Sequence, residues 1–458
     1  MPPSSLVVAA CAIASLNCGT LYIFGAFSPQ VSAQLHYTAA QTSRIAIAGQ
    51  SAAILSGPFV GRATDVLGYT GPCAIGAFLI SLSYYLFYRQ FAAATSSLAY
   101  SCVLFAFVGV GSTGLNTVCV KCSMVTWSSR KGLAAALPIA CYGASGVLYS
   151  RLGSWLAAGD TAGFLKIVAF VSMGISVITT PFVCLCDWKR TYVPAPTTPT
   201  TVELQSLSSP TPATPHSKDP PRHAFQTKDF WYVAAVLGLL SGIGQMFIYG
   251  LGVIVCSLYG GSELAIKDIN AYDVAVQEHQ HGQVSLLSLC STAGRLLGGL
   301  IADEFHSRTR TSRASLLLIP LFLIGAVQIG GYFFVSLREL SILTVGLGLG
   351  YGALYTLTPL VVSDLWGMKN FSTNWGLCNT SPAVTNLVLS TVFARNYDSH
   401  TVPVEIDGET RAVCELGYRC YNRVFAATFA LCITASLFLW QLVARSSHQM
   451  QQKRRPSI

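Results

Sequence analysis

The stretch that decides the fold is Gly294-Arg295-Leu296-Leu297-Gly298-Gly299-Leu300-Ile301-Ala302-Asp303. It lies near the end of a long apolar segment and contains a full positive charge at Arg295. A helix places Arg295 about 12 Å from Asp303 along its axis. A helix that crosses a bilayer would therefore hold the guanidinium close to the middle of the hydrocarbon. A charge at that depth costs about 3 kcal/mol or more, and such residues are functional by default.

The composition places this stretch in a membrane protein. The chain has 458 residues, of which 52% are hydrophobic and 10% are charged, and its mean hydropathy is +0.52. Soluble domains carry about 25% charged residues. The first apolar run begins at Leu6 without a basic leader, so we interpret it as the first span and not as a cleaved signal. The composition predicts a polytopic membrane protein.

Apolar segments of about 20 residues predict twelve transmembrane helices. The segment 187–228 interrupts them, and its Pro, Ser and Thr residues cannot bury a core. We expect an all-α fold of two pseudo-symmetric six-helix bundles, 1–186 and 229–445, joined by a cytosolic linker over 187–228 and followed by a basic cytosolic tail over 446–458. The approximate cores of the spans are 6–27, 44–64, 72–88, 98–120, 132–156, 164–186, 230–257, 284–303, 314–335, 341–364, 371–394 and 422–444.

The Lys and Arg residues predict the orientation, because cytosolic loops carry an excess of them. With a cytosolic N-terminus, seventeen of the 28 lie in cytosolic loops, the linker or the tail. Six lie in the opposite loops. We therefore expect both termini and the linker to face the cytosol.

The second helices of the two halves carry the same pattern, G-x-x-x-D, at Gly61 to Asp65 and at Gly299 to Asp303. A repeat at about half the chain length is typical of paired bundles. Glycine lets a neighbouring helix approach closely, and a carboxylate one turn later can face the positive N-terminus of an adjacent helix. The candidate termini are at Ser128-Ser129 and Ser372-Thr373. We expect a conformational latch made of Gly61, Asp65, Gly68, Gly299 and Asp303.

On these residues the chain resembles the major facilitator superfamily, whose signature between helices two and three is G-x-x-x-D followed by basic residues and glycine. Gly61, Asp65 and Gly68 match that signature. The basic positions do not match, since they hold Val66, Tyr69 and Thr70. The packing part of the signature is therefore intact, and its charged part is weakened.

Three stretches narrow the resemblance to the nodulin-like and monocarboxylate-transporter-homologue branch: 17–30, 127–132 and 364–376. Together with the proline-rich linker, they make the chain most similar to fungal vacuolar members of that branch. The resemblance implies a multi-pass transporter of the vacuolar membrane for a small solute. It does not settle which solute is carried.

In monocarboxylate transporters, a helix-eight arginine contacts the substrate carboxylate, with an acidic residue one turn earlier and a lysine in helix one. Arg295 matches the arginine, but Ser291 occupies the acidic position and 6–27 contains no lysine. A buried cation without a partner favours binding an anion. We hypothesise that Arg295 binds an anionic group of the substrate between the halves. The alternative is a structural arginine bonded to backbone carbonyls or water.

Other polar side chains in the spans are candidates for lining the same cavity. For each of them, a hydrogen bond that packs two helices is the alternative to a role in binding. The candidates are Asn17, Tyr22, Asn116, Tyr142, Gln245, Tyr249, Tyr355 and Asn386.

Most of the fifteen cysteines lie in apolar segments, where they behave as small hydrophobic residues. Cys119-Val-Lys-Cys122 is a lone pair without a partner motif, so we expect no metal site there. Cys414 and Cys420 are the only cysteines in the non-cytosolic loops, on a side that is oxidising. They are the candidate disulfide, and two free thiols are the alternative.

The sequence excludes some functions and leaves two open. No basic stripe with aromatic residues lies on a soluble domain, so we expect no nucleic-acid partner. No nucleophile, base or metal set converges in the spans, so we expect neither an enzyme nor a cofactor. We predict a monomeric transporter that works by alternating access in the lipid bilayer. The alternative is a sensor or scaffold that binds a solute without moving it.

Overall fold

The computed structural model describes residues 4–156, 160–187, 224–259, 269–309, 312–333, 336–406, 409–413 and 416–454. The first half of the described chain consists of helices joined by short turns. Its helices are α1 (Ser4–Ser15), α2 (Phe24–Leu35), α3 (Ala39–Leu67), α4 (Thr70–Ala92), α5 (Leu98–Thr126), α6 (Lys131–Leu156) and α7 (Thr161–Leu185).

The second half adds further helices and one small hairpin within the described residues. Its helices are α8 (Lys228–Tyr259), α9 (Ile269–Thr309), α10 (Leu318–Phe333), α11 (Leu337–Trp366), α12 (Phe371–Cys378), α13 (Ser381–Asp398) and α14 (Asn422–Arg454). The antiparallel strands β1 (Val402–Ile406) and β2 (Glu409–Val413) pair Val402 with Val413 and Ile406 with Glu409. We call the membrane face where α7 ends and α8 begins the linker face, and the opposite face the hairpin face.

Ten helical segments of the described residues are long and apolar enough to cross a membrane. The two other predicted spans, 44–64 and 371–394, are also helical, as α3 and as the pair α12 and α13. Helix α3 carries several polar and small residues, and 371–394 is divided into two shorter helices. The helical prediction is confirmed, and the arrangement is consistent with twelve spans.

Two of the predicted spans are broken. The predicted core 6–27 contains α1, a 3-10 helix over Cys18–Ile23 and the beginning of α2. The predicted core 371–394 breaks at Asn379 and Thr380, before Pro382 in the first turn of α13. Proline fits the first turn of a helix because its missing N–H has no partner there in any case. Hydropathy does not register such breaks, since a break changes the backbone hydrogen bonding and not the average apolarity of the span.

Some predicted boundaries shift. Helix α14 continues to Arg454, so much of the predicted tail 446–458 is helical. Most of the predicted linker, 188–223, lies outside the described residues, but its ends are described. Asp187 lies two residues after the end of α7, and a 3-10 helix over Ala224–Gln226 precedes α8. The connection between the last two predicted spans contains the hairpin β1–β2.

The two halves share part of their apolar core. One buried cluster belongs to the first half and includes Phe27, Phe87 and Phe105. The cluster of the second half also takes in Val120, Met124, Ala135 and Ile139, which come from α5 and α6 of the first half. The halves are therefore in direct apolar contact along α5 and α6.

Candidate functional site

The carboxylate of Asp65 joins three elements at the linker face. Its Oδ1 lies 2.6 Å from Nζ of Lys121 on α5, and both side chains are less than 5% exposed, at 4% and 3%. It also accepts hydrogen bonds from the backbone N–H groups of Ser372 (3.2 Å) and Thr373 (2.7 Å), and from Oγ1 of Thr373 (2.7 Å). A first-half carboxylate therefore holds the N-terminus of α12 in the second half.

Glycines make this contact between α3 and α12 possible. A Cβ added at Gly61 would lie 2.2 Å from the carbonyl oxygen of Ser372. A Cβ added at Gly376 would lie 2.3 Å from the carbonyl oxygen of Gly57. Both distances are far below van der Waals contact, so the two backbones approach as closely as glycine allows.

Asp303 makes the matching contact in the opposite direction. Its carboxylate accepts hydrogen bonds from the backbone N–H groups of Gly132 (2.6 Å) and Leu133 (2.9 Å), in the first turn of α6. A Cβ added at Gly299 would lie 2.5 Å from the carbonyl oxygen of Gly132. The sequence suggested Ser128-Ser129 as this terminus, but those residues form a separate 3-10 turn before α6. The free N–H groups of α6 begin after that turn.

The two aspartates meet different cations. Asp65 pairs with Lys121, whereas Asp303 lies 3.9 Å from Nη2 of Arg313. Nη1 of Arg313 is 2.8 Å from Oδ1 of Asp364, at the end of α11. Sequence reasoning counted Lys121 and Arg313 as loop charges and missed these pairs. The available signal was that Lys121 is the one charged residue of the sequence over 98–129.

Gly68 and Thr70 contact Asp187, the first residue of the predicted linker. Gly68 has φ +92°, and a Cβ there would lie 2.3 Å from a carboxylate oxygen of Asp187. Oδ2 of Asp187 accepts hydrogen bonds from Oγ1 (2.9 Å) and the backbone N–H (3.3 Å) of Thr70. Thr70 thus supplies a hydroxyl where the family signature usually has a basic residue.

Arg295 lies where α9 of the second half crosses α6 of the first half. Its side chain is buried, with 9% of the residue exposed, and Nη1 donates a 3.0 Å hydrogen bond to the carbonyl oxygen of Ile139. A Cβ added at Gly143 would lie 1.7 Å from that same Nη1. The guanidinium therefore occupies space that only a glycine leaves on α6.

The guanidinium keeps hydrogen-bonding capacity. Its Nε is buried and has no hydrogen-bond partner among the described residues. No carboxylate of the described residues lies within ion-pair distance of Arg295, in contrast to Arg313. Ser291 lies one turn earlier, and its carbonyl oxygen would be 2.1 Å from a Cβ at Gly352 of α11.

The first-half candidates divide into different environments. Asn17 is fully buried, and its amide donates to the carbonyl oxygen of Ser172 (2.9 Å) and Oγ of Ser176 (3.0 Å) and accepts from Tyr149 (2.7 Å). That arrangement fits packing within the first half, and we leave Asn17 out of the proposed binding set. Oδ1 of Asn116 is buried and has no hydrogen-bond partner in the described part of the chain.

Two other first-half candidates need separate mention. Tyr142 is half-buried and immediately precedes Gly143, which contacts Arg295. Tyr22 lies in the 3-10 helix Cys18–Ile23, and its side chain is outside the described residues.

The second-half candidates form a short polar row between α8 and α11. Nε2 of Gln245 donates to the hydroxyl of Tyr351 at 3.2 Å, and the Tyr355 hydroxyl lies 2.7 Å from Oγ of Ser241. The rings of Tyr351 and Tyr355 are 4.9 Å apart between centroids. Sequence reasoning missed Tyr351, although its spacing of four residues from Tyr355 on one helix was a usable signal.

The remaining second-half candidates are Asn386 on α13 and Tyr249 on α8. Oδ1 of Asn386 accepts from Oγ of Ser390 at 3.0 Å, within α13. Tyr249 is 57% exposed on α8. The bond of Asn386 stays within its own helix and Tyr249 is largely exposed, so neither observation supports a shared site with Arg295.

The structure describes the cysteines of the apolar segments and one of the two cysteines of the candidate disulfide. Cys119 and Cys122 are free and buried. Cys420 is disulfide-bonded. Cys414 lies outside the described residues, so its pairing with Cys420 stays a prediction.

Comparison with known proteins places this arrangement in a family. The family model described as Major Facilitator Superfamily matches residues 10–389. The chain belongs to the Major Facilitator Superfamily. It is thus a secondary transporter by family and fold and not an enzyme, and its resemblance to that superfamily on Gly61, Asp65 and Gly68 is confirmed.

Similar proteins are fungal. The chain is 23% identical to the uncharacterized membrane protein YMR155W of Saccharomyces cerevisiae, over 91% of this chain and 90% of that protein. It is 24% identical to the probable transporter MCH1 of Gibberella zeae, over 93% and 87% of the two chains. Among solved structures, the transporter FucP in its outward conformation superposes with a TM-score of 0.58 at 13% identity, over 95% of this chain and 99% of that one. That likeness shows the fold.

Proposed function

We propose that this transporter moves a small organic anion across the vacuolar membrane by alternating access, and that Arg295 binds the anionic group. The observation that carries the proposal is the guanidinium itself. It is buried between the halves, makes one hydrogen bond to a carbonyl, and has no carboxylate of the described residues as a partner.

A purely structural role leaves this guanidinium poorly satisfied. Arg carries five N–H donors and stays charged in proteins. One donor reaches Ile139, and Nε has no partner in the described part of the chain. A buried cation is stabilised by an opposite charge together with full hydrogen bonding. An anionic substrate supplies both, in the fork geometry that guanidinium favours.

The position of Arg295 suits alternating access. The residue belongs to the second half, and its hydrogen-bond acceptor belongs to the first half. A rocking motion of the halves changes this contact directly. Binding an anion at Arg295 can therefore bias the relative population of the two arrangements.

Support for proton coupling through a carboxylate pair is lacking. Ser291 occupies the position where an acidic residue precedes the arginine in monocarboxylate transporters. No ion pair joins Arg295 to a described acidic residue. We propose that the anion itself neutralises Arg295 and that this site carries no obligatory proton.

The contacts of Asp65 and Asp303 support a latch that closes the linker face. Each carboxylate of one half accepts hydrogen bonds from a helix N-terminus of the other half. We propose that both contacts open when the linker face opens to release solute. The excess of Lys and Arg in linker-face loops supports a cytosolic location for that face. A pH-sensitive fluorescent protein fused to the C-terminus in cells should then report a near-neutral pH and not a vacuolar one.

The test is solute flux with purified protein in liposomes. A panel of labelled small mono- and dicarboxylates, with a neutral sugar of similar size, should show protein-dependent uptake of one or more anions only. Binding of an anion without uptake would favour a sensor or scaffold. Uptake of the sugar with no anion transported would contradict the anionic substrate.

A further inference from the structure

A groove runs along the outer surface of the first half between α4 and α7. Its volume is about 540 Å³, and its lining includes Ala74, Phe78 and Tyr85 from α4 and Phe170 and Met173 from α7. Phe78 and Phe170 are exposed, at 63% and 48%. The main packing partners of both helices among the described residues are first-half elements. The groove is therefore distant from the interface between the halves and faces the lipid.

The polar groups on the groove floor already have partners. Oγ of Ser81 donates to the carbonyl oxygen of Ala77 at 3.0 Å. Oγ of Ser176 accepts from the Asn17 amide at 3.0 Å, and Oγ1 of Thr180 accepts from the Cys73 thiol at 4.0 Å. These hydroxyls are engaged within the protein, and most of the remaining lining is apolar. The chemistry of the groove therefore suits an apolar occupant.

The length of the groove matches one leaflet of a bilayer. Ala74 and Tyr85 mark its extent on α4 and are about 16 Å apart along the helix axis. The hydrocarbon of one leaflet is about 15 Å thick, half of the usual 30 Å. A membrane molecule that spans a single leaflet fits this length.

Aromatic rings form a rigid wall of the groove. The rings of Tyr85 and Phe170 meet edge to face, with centroids 6.3 Å apart, and Phe78 also lines the groove. A rigid fused-ring molecule loses less conformational freedom against such a wall than a flexible acyl chain does. The wall therefore favours a sterol over a phospholipid tail.

One end of the groove offers polar groups for a sterol hydroxyl. The Tyr85 hydroxyl and the Arg89 guanidinium, one turn further toward the hairpin face, make no hydrogen bond within the described part of the chain. Arg89 is exposed and can extend its guanidinium to the interface. A hydroxyl at this end would meet a donor and an acceptor.

The same residues fit a sequence pattern suggested for cholesterol contact. Leu82, Tyr85 and Arg89 read L-x-x-Y-x-x-x-R, which conforms to the pattern L/V-x₁₋₅-Y-x₁₋₅-K/R. The pattern alone is common by chance. Here its first two residues line a groove of the right length, and the third lies at the polar end.

We propose that the groove between α4 and α7 binds one membrane sterol. The sterol rings lie against Phe78 and Phe170, and the hydroxyl meets Tyr85 and Arg89. The site lies outside the proposed anion path, and it does not rest on the identity of the transported solute.

A photoreactive diazirine analogue of cholesterol tests this in vesicles that contain the purified full chain. Irradiation should label peptides from α4 and α7, and excess unlabelled cholesterol should reduce labelling several-fold, whereas excess phospholipid should not. Ala74→Phe fills the groove from an exposed position and should reduce labelling at least fivefold. Ala430→Phe, at an exposed position on α14, is the matched control and should leave labelling unchanged.

A second variant checks the polar end. Tyr85→Phe keeps the ring and removes the hydroxyl, and it should weaken competition by cholesterol by several-fold. Equal labelling of all lipid-facing helices would overturn the proposal. Unchanged labelling of an Ala74→Phe protein whose thermal midpoint equals that of the unmodified protein would also overturn it. Competition by phospholipid as strong as by cholesterol would assign the groove to acyl chains and would also overturn it.

Discussion

Asp65 and Asp303 hold matching places in the two halves, yet their surroundings at the residue scale differ. Asp65 is paired with a buried lysine, and Asp303 shares Arg313 with Asp364. The hydrogen bonds that each carboxylate accepts from a helix N-terminus are alike. Geometry is thus preserved by the repeat, while the neutralising cation is specific to each half.

The ammonium of Lys121 is buried, so the stability of the protein should depend on its partner, the carboxylate of Asp65. Asp65→Asn removes its ion-pair partner, and breaking a buried pair in this way costs about 3–5 kcal/mol. The thermal midpoint of the purified protein should fall by roughly 5 °C or more. Replacing both residues, as Asp65→Asn with Lys121→Met, should recover part of that loss. A single Asp65→Asn variant as stable as the unmodified protein would contradict the burial of this pair.

Asn17 separates packing from binding. Asn17→Ala leaves the Tyr149 hydroxyl and the Ser176 hydroxyl without a partner, and each unsatisfied buried group costs about 1–3 kcal/mol. We expect a lower thermal midpoint with an unchanged KM for uptake by the folded fraction. Tyr149→Phe removes only one of these bonds and should have a smaller effect. A raised KM at normal stability would return Asn17 to the binding site.

The sequence could predict the aspartates but not their cations. The pattern G-x-x-x-D occurs in the second helix of each half, and helix N-termini attract carboxylates. The sequence could therefore predict that both aspartates face helix N-termini. Lys121 is 56 residues from Asp65, and only the packing of α3 against α5 brings them together. The acceptor of the Arg295 hydrogen bond, Ile139, lies 156 residues away in the other half.

At the scale of elements, glycines set the distance between helices of opposite halves. Helix α3 meets α12 at Gly57, Gly61 and Gly376, and α9 meets α6 at Gly132 and Gly299. These contacts are backbone to backbone. Hydropathy could predict the spans themselves, but it could not predict the breaks in α1–α2 and α12–α13, because a helix break changes backbone hydrogen bonding and not apolarity.

A matched pair of glycine substitutions tests the contact between α3 and α12. Gly61→Ala introduces a Cβ about 2.2 Å from the Ser372 carbonyl oxygen and must push the helices apart. We expect a lower thermal midpoint and slower uptake. Gly146→Ala on α6 is the control, since a Cβ there meets nothing within 4 Å, and alanine favours a helix by up to about 1 kcal/mol. Equal effects of the two variants would contradict a close contact at Gly61.

At the scale of the whole molecule, the described hydrogen bonds between the halves lie at the linker face and at Arg295. The halves also share apolar core along α5 and α6. In this structure the two halves are thus joined at the linker face, which is closed. The two-bundle organisation was predictable from the repeat, whereas the hairpin β1–β2 was not, because its residues read as a polar loop.

The missing acidic neighbour of Arg295 leads to a prediction for energetics. Uptake of the transported anion into liposomes should change less than about twofold when a protonophore abolishes an imposed pH gradient at constant membrane potential. The reason is that the Ser291 hydroxyl does not gain or lose a proton near neutral pH, so it offers Arg295 no proton-carrying neighbour. Uptake that disappears with the pH gradient would show obligatory proton coupling and would require another proton-carrying residue.

We propose that Arg295 recognises the negative charge of the substrate, and one uptake measurement tests this directly. The measurement is uptake of a transported carboxylate and of its neutral amide analogue by the unmodified protein, by Arg295→Gln, and by Arg151→Gln as a control at an exposed arginine. A charged hydrogen bond contributes about 1.5–3 kcal/mol, so Arg295→Gln should reduce carboxylate uptake about ten- to a hundredfold. The Arg295→Gln protein should also lose the preference for the carboxylate over the amide. The Arg151→Gln protein should keep both the carboxylate uptake and the preference. Carboxylate preference that persists in a folded Arg295→Gln protein would contradict the account.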